Sequence, residues 1–405
     1  MIETEPATDT ATRQPLPQGW RWVRLGDVCE LNPPRPRIQR AEDQPTSFIP
    51  MVGVKDEGRG LAEVKIRSYG EVRKGYTYFA PGDVLFAKIT PCMQNGKIAV
   101  ADGLIDDVGF GSTEFHVLRP SESVLAQWLQ LFLQQNEFLR DAAAHMTGTV
   151  GQQRLPEQYL AKVYLPIPPV SDQKRIAAIL REQLAAVERA RVAAEAQLAA
   201  ARQLPAAYLR AVFESDEERG WPLTSLGEIL SLRKDIVHQL NSPRGPAVFV
   251  GLEHIESHTG RRIGSLQMEM AELTGRKPRF YRGDLVYGYL RPYLNKVWIA
   301  EFDGLCSVDQ YVYQVDKSVS SIGYISWFMR SPMYLERAPI DVSPGQLPRI
   351  RTEEVAAVML NLPPHEVQQR VAAELDERME DAGRVRESLE AQLTAINQLP
   401  AALLR

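Results

Sequence analysis

The 405-residue sequence is poor in cysteine and has no excess of basic charge. Its three cysteines, Cys29, Cys92 and Cys306, lie far apart, so neither a disulfide framework nor a CxxC zinc motif is expected. The 47 Lys and Arg residues are outnumbered by 51 Asp and Glu, and the formal net charge is −4. This balance argues against a protein that holds nucleic acid through overall positive charge, and it leaves local basic patches open.

Long hydrophobic runs and export signals are also missing. No stretch approaches eighteen consecutive apolar residues, and the N-terminal segment is acidic and rich in proline and threonine. We therefore expect a cytoplasmic protein in which residues 1–18 form a disordered tail. The patterns GxxxxGK[ST], GxGxxG and GxSxG do not occur, so the usual signatures of an NTPase, a Rossmann domain and a serine hydrolase are lacking.

The chain contains an internal repeat with a period of about 200 residues. GWRWVRLGDV at 19–28 returns as GWPLTSLGEI at 220–229, and FAPGDVLFAKITP at 79–91 returns as FYRGDLVYGYLRP at 280–292. EAQLAAARQLPAAYLR at 195–210 returns as EAQLTAINQLPAALLR at 390–405. Because this period is much too long for a solenoid, the sequence predicts a duplicated domain whose copies each bury their own core.

Each copy consists of a body followed by a long helical segment. The body is rich in glycine, proline and aromatics, contains short alternating stretches that predict strands, and ends at a Pro-Pro pair. The segment after this pair is rich in Ala, Leu, Glu, Gln and Arg, which is typical of helix. The predicted fold is α+β, with α/β bodies at 19–170 and 215–364 and long helices at 171–214 and 365–405.

The two predicted helices each carry an apolar seam with alternating steps of four and three residues, the spacing of a coiled coil. The first seam consists of Leu180, Leu184, Val187, Arg191, Ala194, Leu198 and Ala201. The second consists of Leu375, Met379, Ala382, Arg386, Leu389, Leu393 and Ile396, with its arginine at the matching place. Helices of about 40 residues would be about 60 Å long, more than one body can cover, so we expect them to pair with each other. The alternative is that each helix packs only on its own body.

Basic residues concentrate in matching stretches of the two bodies, which favours contact with DNA phosphates there. Residues 54–98 contain eight Lys/Arg against five Asp/Glu, and residues 261–296 contain eight against three. The candidate phosphate contacts are Arg59, Lys65, Arg67, Arg73 and Lys74 in the first body and Arg261, Arg262, Arg276, Lys277 and Arg279 in the second.

Two loops in each body offer the donors and acceptors that read bases in the major groove. One loop follows the PGDVLF stretch or its counterpart, and the other precedes the Pro-Pro pair. Candidate base-reading residues of the first body are Lys88, Thr90, Gln94, Asn95, Lys97, Thr147, Thr149, Gln152, Gln153 and Arg154. Those of the second body are Tyr289, Arg291, Tyr293, Asn295, Lys296, Ser343, Gln346 and Arg349. For any single member the alternative is a solvated surface side chain.

Three short patterns have catalytic alternatives that their surroundings disfavour. NPPR at 32–35 is similar to an amino-methyltransferase motif, but it has arginine where an aromatic residue stacks on the flipped base. Asp56 with ExK at 63–65 is a short nuclease-like pattern without a counterpart in the second copy. His254 and His258 have zinc spacing for a helix, in a segment that favours strand and turn. We therefore expect no catalytic residue, metal or cofactor in this chain.

The order and duplication of these features closely resemble the HsdS-type specificity subunit of type I restriction-modification systems. The resemblance is carried by LGDVCELN at 25–32, PGDVLFAKI at 81–89, the terminal QLPAAxLR and the motif PPxxxQxR, which occurs at 168–175 and 363–370. It implies two target-recognition domains, each reading half of a split, asymmetric DNA sequence. It also implies that the helices run antiparallel, set the spacing between half-sites and dock two methyltransferase subunits.

The resemblance further implies a noncatalytic subunit of a larger complex. S-adenosylmethionine is then expected in the partner methyltransferase, and restriction/translocase subunits, which combine nuclease and translocation activity, join the same assembly. An antiparallel helix pair would relate the tandem bodies by a pseudo-twofold axis, which suits the local dyads of double-stranded DNA. The alternative from another class is a coiled-coil scaffold that binds proteins and has no sequence-specific affinity for DNA.

Overall fold

The computed structural model describes residues 15–149, 151–218, 220–241, 243–341, 345 and 347–404. The chain divides into two units. The first is formed by residues up to 193 together with 393–405, and the second by residues 194–392. Of the predicted disordered tail at 1–18, residues 1–14 lie outside the described part.

Short strands build the body of the first unit. They are β1 Arg21–Arg24, β2 Cys29–Leu31, β3 Pro45–Ile49, β4 Lys65–Ser68, β5 Thr77–Phe79, β6 Val84–Ala87, β7 Ile98–Val100, β8 Gly109–Gly111, β9 Phe115–Pro120 and β10 Tyr164–Ile167. Two four-stranded sheets have the orders β2-β9-β6-β7 and β4-β3-β8-β5, and β1 pairs with β10. The β3–β8 pair is parallel and the other pairs are antiparallel.

Helices pack on both sheets of this body. They are α1 Leu25–Val28, α2 Tyr69–Val72, α3 Ala126–Leu133, α4 Asn136–Ala144, α5 Glu157–Lys162 and the long α6 Val170–Glu218. Because side chains alternate along a strand, Val84 and Phe86 of β6 face the core that includes Leu129 of α3. Leu85 points to the other core, where it joins Phe79 of the second sheet.

The second unit repeats this plan with one strand added. Its strands are β11 Leu223–Ser225, β12 Leu230–Leu232, β13 Ile236–His238, β14 Pro246–Val250, β15 Leu266–Glu269, β16 Arg276–Phe280, β17 Leu285–Gly288, β18 Val297–Ile299, β19 Gly304–Cys306, β20 Gln310–Val315 and β21 Met359–Asn361. The helices that follow α6 in the chain are α7 Leu226–Ile229, α8 Ile322–Arg330, α9 Pro332–Arg337, α10 Thr352–Ala357 and α11 His365–Leu403, and α6 and α11 each have residues in both units. The sheet orders are β12-β20-β17-β18, β13-β16-β19-β14-β15 and β11-β21.

The predicted α+β fold, with a repeated body followed each time by a long helix, is confirmed. The order β2-β9-β6-β7 matches β12-β20-β17-β18, and β4-β3-β8-β5 matches β15-β14-β19-β16. Strand β13 has no counterpart among the described residues of the first unit, and it lies beside β16 at the sheet edge where β5 has no such neighbour in that described part. No helix among the described residues combines the length and apolarity that crossing a membrane requires.

A buried glutamine in each PPxxxQxR motif ties the start of the long helix to its own body. Gln173 and Gln368 are both fully buried. The Gln173 side chain donates to the Ser123 and Pro168 carbonyls (2.9 and 3.0 Å) and accepts from the Leu125 N–H (2.8 Å). Gln368 donates in the same way to the Pro363 carbonyl at 2.8 Å. The motif therefore sets where each helix leaves its body.

The burial of the long helices follows the predicted seams. The seam positions between Leu180 and Ala201 and between Leu375 and Ile396 are all buried or half-buried. Val192 and Val385 lie off the seams and are 53% and 46% exposed. In the second unit Arg202 pairs with Glu390 at 3.2 Å, and Arg378 lies 5.4 Å from the ring centre of Tyr208. Since residue numbers rise along α6 as they fall along α11, the two helices run antiparallel there.

Candidate DNA interface

Backbone hydrogen bonds join the two predicted base-reading loops of the first body. The Thr90 N–H donates to the Gln153 carbonyl at 3.0 Å, and the Leu155 N–H donates to the Lys88 carbonyl at 2.8 Å. Ile89 and Arg154 form an antiparallel bridge. Residues 88–97 and 147–155 therefore form one surface, which we call the first loop pair.

The second body joins its own two loops in the same way. The Arg291 N–H donates to the Pro348 carbonyl at 2.7 Å, and the Ile350 N–H donates to the Tyr289 carbonyl at 3.2 Å. Leu290 and Arg349 form the matching antiparallel bridge. We call residues 289–296 and 347–350 the second loop pair. The two bodies thus present different side chains on equivalent backbone frames.

Five of the ten base-reading candidates in the first loop pair are exposed and, among the residues that the structure describes, make no side-chain hydrogen bond or ion pair shorter than 3.5 Å: Gln94, Asn95, Thr147, Thr149 and Gln152. Lys88, Thr90 and Gln153 are half-buried, and the Thr90 hydroxyl accepts from the Gln153 N–H at 3.2 Å. The exposed group supplies the amide and hydroxyl functions that hydrogen-bond to base edges.

Two cations of the first loop pair are engaged within the body. Arg154 forms a bidentate pair with Glu114 at 2.6 and 2.9 Å, which raises the pKa of the guanidinium and lowers the pKa of the carboxyl. Lys97 is mostly buried; its ammonium donates to the Val54 carbonyl at 2.5 Å and pairs with Asp56 at 3.1 Å. Contact of either cation with DNA would require these bonds to be exchanged.

In the second loop pair Arg291 and Tyr293 are exposed, and the Tyr289 ring stacks on Tyr311 with centroids 4.3 Å apart. Arg349 is half-buried, and the Lys296 ammonium donates to the Leu252 carbonyl at 2.6 Å, as Lys97 does in the first body. Ser343 and Gln346 lie outside the described residues.

Asn295 differs from the other candidates because it is buried. Its side chain is 1% exposed, and its amide donates to the Arg330 carbonyl at 2.7 Å. Arg330 is itself buried, with its guanidinium 3.5 Å from the centre of the Trp327 ring, and burial lowers its pKa to about 10. The Asn295 amide is bonded inside the body, so Asn295 is not a member of the proposed base-reading surface.

Most of the predicted phosphate contacts have an acidic or aromatic neighbour. Arg59 pairs with Glu57, Lys65 with Glu63, Arg73 with Glu42, Arg261 with Glu256, Arg262 with Glu301 and Arg279 with Asp235, at 2.6 to 4.0 Å. Arg67 lies over Phe48 and Lys277 over Phe249. Lys74 and Arg276 are exposed and have no acidic partner in the described part of the chain. Exposed ion pairs are weak, so phosphates can compete for the paired cations.

The NPPR segment is engaged in the fold instead of being free to hold a base. The Asn32 amide donates to Glu157 at 2.6 Å and lies 3.2 Å from Nδ1 of His116, and its oxygen accepts from the Val117 N–H. The other ring nitrogen of His116 donates to the Leu155 carbonyl at 2.8 Å. Asn32 adopts a left-handed backbone conformation, φ 48°, which asparagine tolerates better than most residues.

Sequence reasoning missed Arg35, which it treated only as a defect in a methyltransferase motif. In the structure Arg35 lines a pocket together with Arg73 and Lys74. The signal was the run PPRPR at 33–37, in which proline stiffens a segment that carries two arginines.

Residues 17–194 match the family described as "Type I restriction modification DNA specificity domain". Over 163 residues the chain is 40% identical to the specificity subunits of the type I restriction enzymes EcoEI and EcoAI of Escherichia coli. The match covers 40% of this chain and 27% of either relative, so the aligned part spans about a quarter of their length.

Two solved structures share the fold over nearly the whole chain. One belongs to a study of complex assembly and conformational transition of the type I R-M system, with TM-score 0.72, 20% identity and coverage of 97% of this chain and 98% of the other. The other is the HsdS subunit of Thermoanaerobacter tengcongensis, with TM-score 0.62, 20% identity and 97% of both chains covered.

These matches indicate the class of protein that the chain resembles: residues 17–194 are similar to the DNA specificity domains of type I restriction-modification systems. The predicted resemblance to a type I specificity subunit is confirmed. The relatives are named specificity subunits.

Proposed function

We propose that this chain is the noncatalytic DNA-recognition subunit of a type I restriction-modification complex and that it binds a bipartite, asymmetric DNA target. The observation that carries the proposal is the pair of equivalent loop pairs. The same backbone frame presents Gln94, Asn95 and Gln152 in the first body but Arg291 and Tyr293 in the second. Equivalent frames with different donors and acceptors are what two half-sites of different sequence require.

In the proposed complex the chain also scaffolds its partners. Two methyltransferase subunits, which bind S-adenosylmethionine, dock on it, and restriction/translocase subunits join to cut DNA. The family match over residues 17–194 and the long helices, whose surface outside the seams is largely exposed, support this role. The chain itself would supply sequence recognition, and the chemistry would occur in the partners.

Selection from randomised duplexes tests the recognition role. The complex of this chain with its methyltransferase partner should enrich one split motif with two specified halves. Uniform weak retention of all duplexes would overturn the proposal and would favour a scaffold that does not read DNA. Gln94→Ala with Gln152→Ala should relax one half of the motif, because each well-placed amide contributes about 1 to 3 kcal/mol of discrimination. Gln314→Ala, which changes an exposed glutamine of β20 outside both loop pairs, is the matched control.

Transfer of labelled methyl groups tests the noncatalytic assignment. The purified chain alone, incubated with labelled S-adenosylmethionine and DNA that carries the enriched motif, should transfer no label. Addition of the methyltransferase partner should produce labelled DNA at that motif. Label transferred by the chain alone would contradict the assignment.

A further inference from the structure

A pocket of about 410 Å³ opens on the first body beside the edge strand β5. One wall is the segment from Asn32 to Arg35, and the other runs from Arg73 to Tyr78. Three of its ten lining residues are cations, Arg35, Arg73 and Lys74, and none is acidic. The lining therefore favours an anionic ligand.

The fold holds this pocket in place. The Arg35 guanidinium donates to the Arg73 carbonyl, so one wall is bonded to the other. Tyr76 packs edge-on against Phe48 with ring centroids 4.8 Å apart, and Tyr78 packs against Phe110 at 5.8 Å. Lys74 is exposed and has no acidic partner among the described residues, whereas Arg73 pairs with the largely exposed Glu42 at 2.6 Å.

The pocket is directly linked to the first loop pair. Asn32 lines the pocket, and its amide nitrogen lies 3.2 Å from the His116 ring, whose other nitrogen donates to the Leu155 carbonyl at 2.8 Å. Leu155 in turn donates to the Lys88 carbonyl. Only one imidazole ring thus separates the pocket wall from the loops proposed to read bases. A ligand in the pocket would lie next to DNA that occupies those loops.

The corresponding place in the second body is built differently. In the first body the Asn32 N–H donates to the Val117 carbonyl, and in the second body the Arg233 N–H donates to the Val312 carbonyl in the same way. Asn32 and Arg233 therefore occupy equivalent positions. In the second body the Arg233 side chain is bound within the fold, because it forms a bidentate pair with Asp284 with both distances 2.7 Å. Strand β13 then covers the sheet edge beside β16 that remains open beside β5.

We propose that the pocket of Arg35, Arg73 and Lys74 binds a backbone phosphate of the half-site that the first body reads. The second body binds its own half-site without a pocket of this kind. This inference rests on the proposed function. Guanidinium and ammonium groups donate only, and a phosphate accepts several such bonds at once, so a pocket with three cations and no acidic lining residue suits a phosphate. The open edge of β5 offers further backbone donors.

The salt dependence of binding tests this proposal. The variant Arg35→Gln/Arg73→Gln/Lys74→Gln is compared with the wild type in the complex with the methyltransferase partner, on a duplex that carries the enriched motif. Removal of one bound phosphate from the interface lowers the slope of log K against log salt by about 0.9. We expect a slope lower by about 1, affinity reduced by about tenfold or more at low salt, and an unchanged sequence motif.

Matched variants separate the pocket from charge alone. Arg140→Gln/Lys162→Gln/Lys317→Gln removes three exposed cations outside the pocket and outside both basic stretches, and should leave the slope near that of the wild type. The single exchange Arg35→Lys keeps the charge and should also retain the slope. Because the three pocket cations are exposed or half-buried, the circular dichroism spectrum and unfolding midpoint should stay close to those of the wild type.

The outcomes distinguish this inference from the proposed function. If the wild-type complex enriches no split motif, the proposed function fails. If it enriches one and the pocket variant keeps the full salt slope, the pocket inference is overturned while the proposed function stands. A duplex with single neutral methylphosphonate linkages locates the contact: one linkage in the first half-site should weaken the wild type and not the pocket variant. Binding of inorganic phosphate or a mononucleotide without DNA, together with an unchanged slope, would assign the pocket to a free ligand and also overturn the inference.

Discussion

Arg119 and Arg233 bind equivalent buried carboxylates from two different strands. Arg119 extends from β9 and forms a bidentate pair with Asp83 at 2.7 and 2.9 Å, whereas Arg233 follows β12 and binds Asp284. Both carboxylates belong to the repeated Gly-Asp pair that precedes the central strand of the body. Each is almost fully buried, so it needs a cation, and either neighbouring strand can supply one.

Replacing Arg119 should destabilise the first body strongly. Arg119→Gln leaves the Asp83 carboxylate buried without its cation, and we expect the free energy of unfolding to fall by about 2 to 3 kcal/mol. Arg21→Gln, which removes an exposed arginine of the same body, should change it by less than about 0.5 kcal/mol. Denaturant unfolding measures both.

The double variant Arg119→Gln/Asp83→Asn tests whether the pair acts as a unit. Since the second exchange removes the stranded charge, the double variant should be more stable than the sum of the single effects predicts, by about 1 to 3 kcal/mol. Strict additivity of the two effects would argue against a buried ion pair.

The buried glutamine of each PPxxxQxR motif should matter more than any exposed glutamine on the same helix. Gln173→Ala leaves the Leu125 N–H and two carbonyls without their partner, and we expect a decrease of about 2 to 3 kcal/mol in unfolding free energy. Gln183→Ala on the same helix is exposed and should have little effect. Hydrogen exchange at the start of α3 and α6 should rise only in the first variant. Equal protection in both variants would contradict the role assigned to Gln173.

His116 should make the stability of the first body sensitive to mild acid. Burial lowers the pKa of His116, and Lys88 adds to this effect, whereas the Leu155 carbonyl and the carboxylates of Glu157 and Glu114 oppose it. The unfolded chain has an ordinary histidine pKa of about 6.5. Just below that pH the unfolded chain binds a proton at His116, whereas the folded body binds it only at a lower pH. Stability is therefore fully present above about pH 6.5 and falls as the pH decreases toward the folded pKa.

The variant His116→Gln should remove this part of the pH dependence. Comparison of unfolding free energies at pH 8, where His116 is neutral in both states, gives the effect of removing its hydrogen bonds alone. The difference between the variant and the wild type should then shrink at pH 5.5. An unchanged difference across this range would show that His116 does not titrate between the folded and unfolded states.

Periodicity and repetition predicted the parts of this fold that depend on local sequence. The apolar steps of four and three residues predicted which positions of α6 and α11 are buried, because helix geometry alone decides which residues share a face. The duplication likewise predicted that the second body would repeat the strands of the first. Both inferences need only the chain itself.

The orientation of single side chains in the candidate interface could not be predicted in this way. Asn295 was predicted to read bases but is buried against Arg330, which lies 35 residues further along the chain. Arg35 was not predicted to contact DNA, but it lines a pocket that forms only because residues 73–78 pack beside it. Exposure in a loop is decided by distant contacts, which the pattern of one segment does not contain.

The predicted seam of α11 can be tested with two adjacent exchanges of the same kind. Leu389 lies on the seam and is half-buried, whereas Val385 lies one turn earlier and is 46% exposed. Leu389→Glu places a charge in an apolar contact and should lower the unfolding free energy by about 2 kcal/mol or more. Val385→Glu should change it by less than about 0.5 kcal/mol, because its charge stays in water. Denaturant unfolding followed by helical circular dichroism measures both, and equal effects of the two exchanges would show that the seam does not hold the helix.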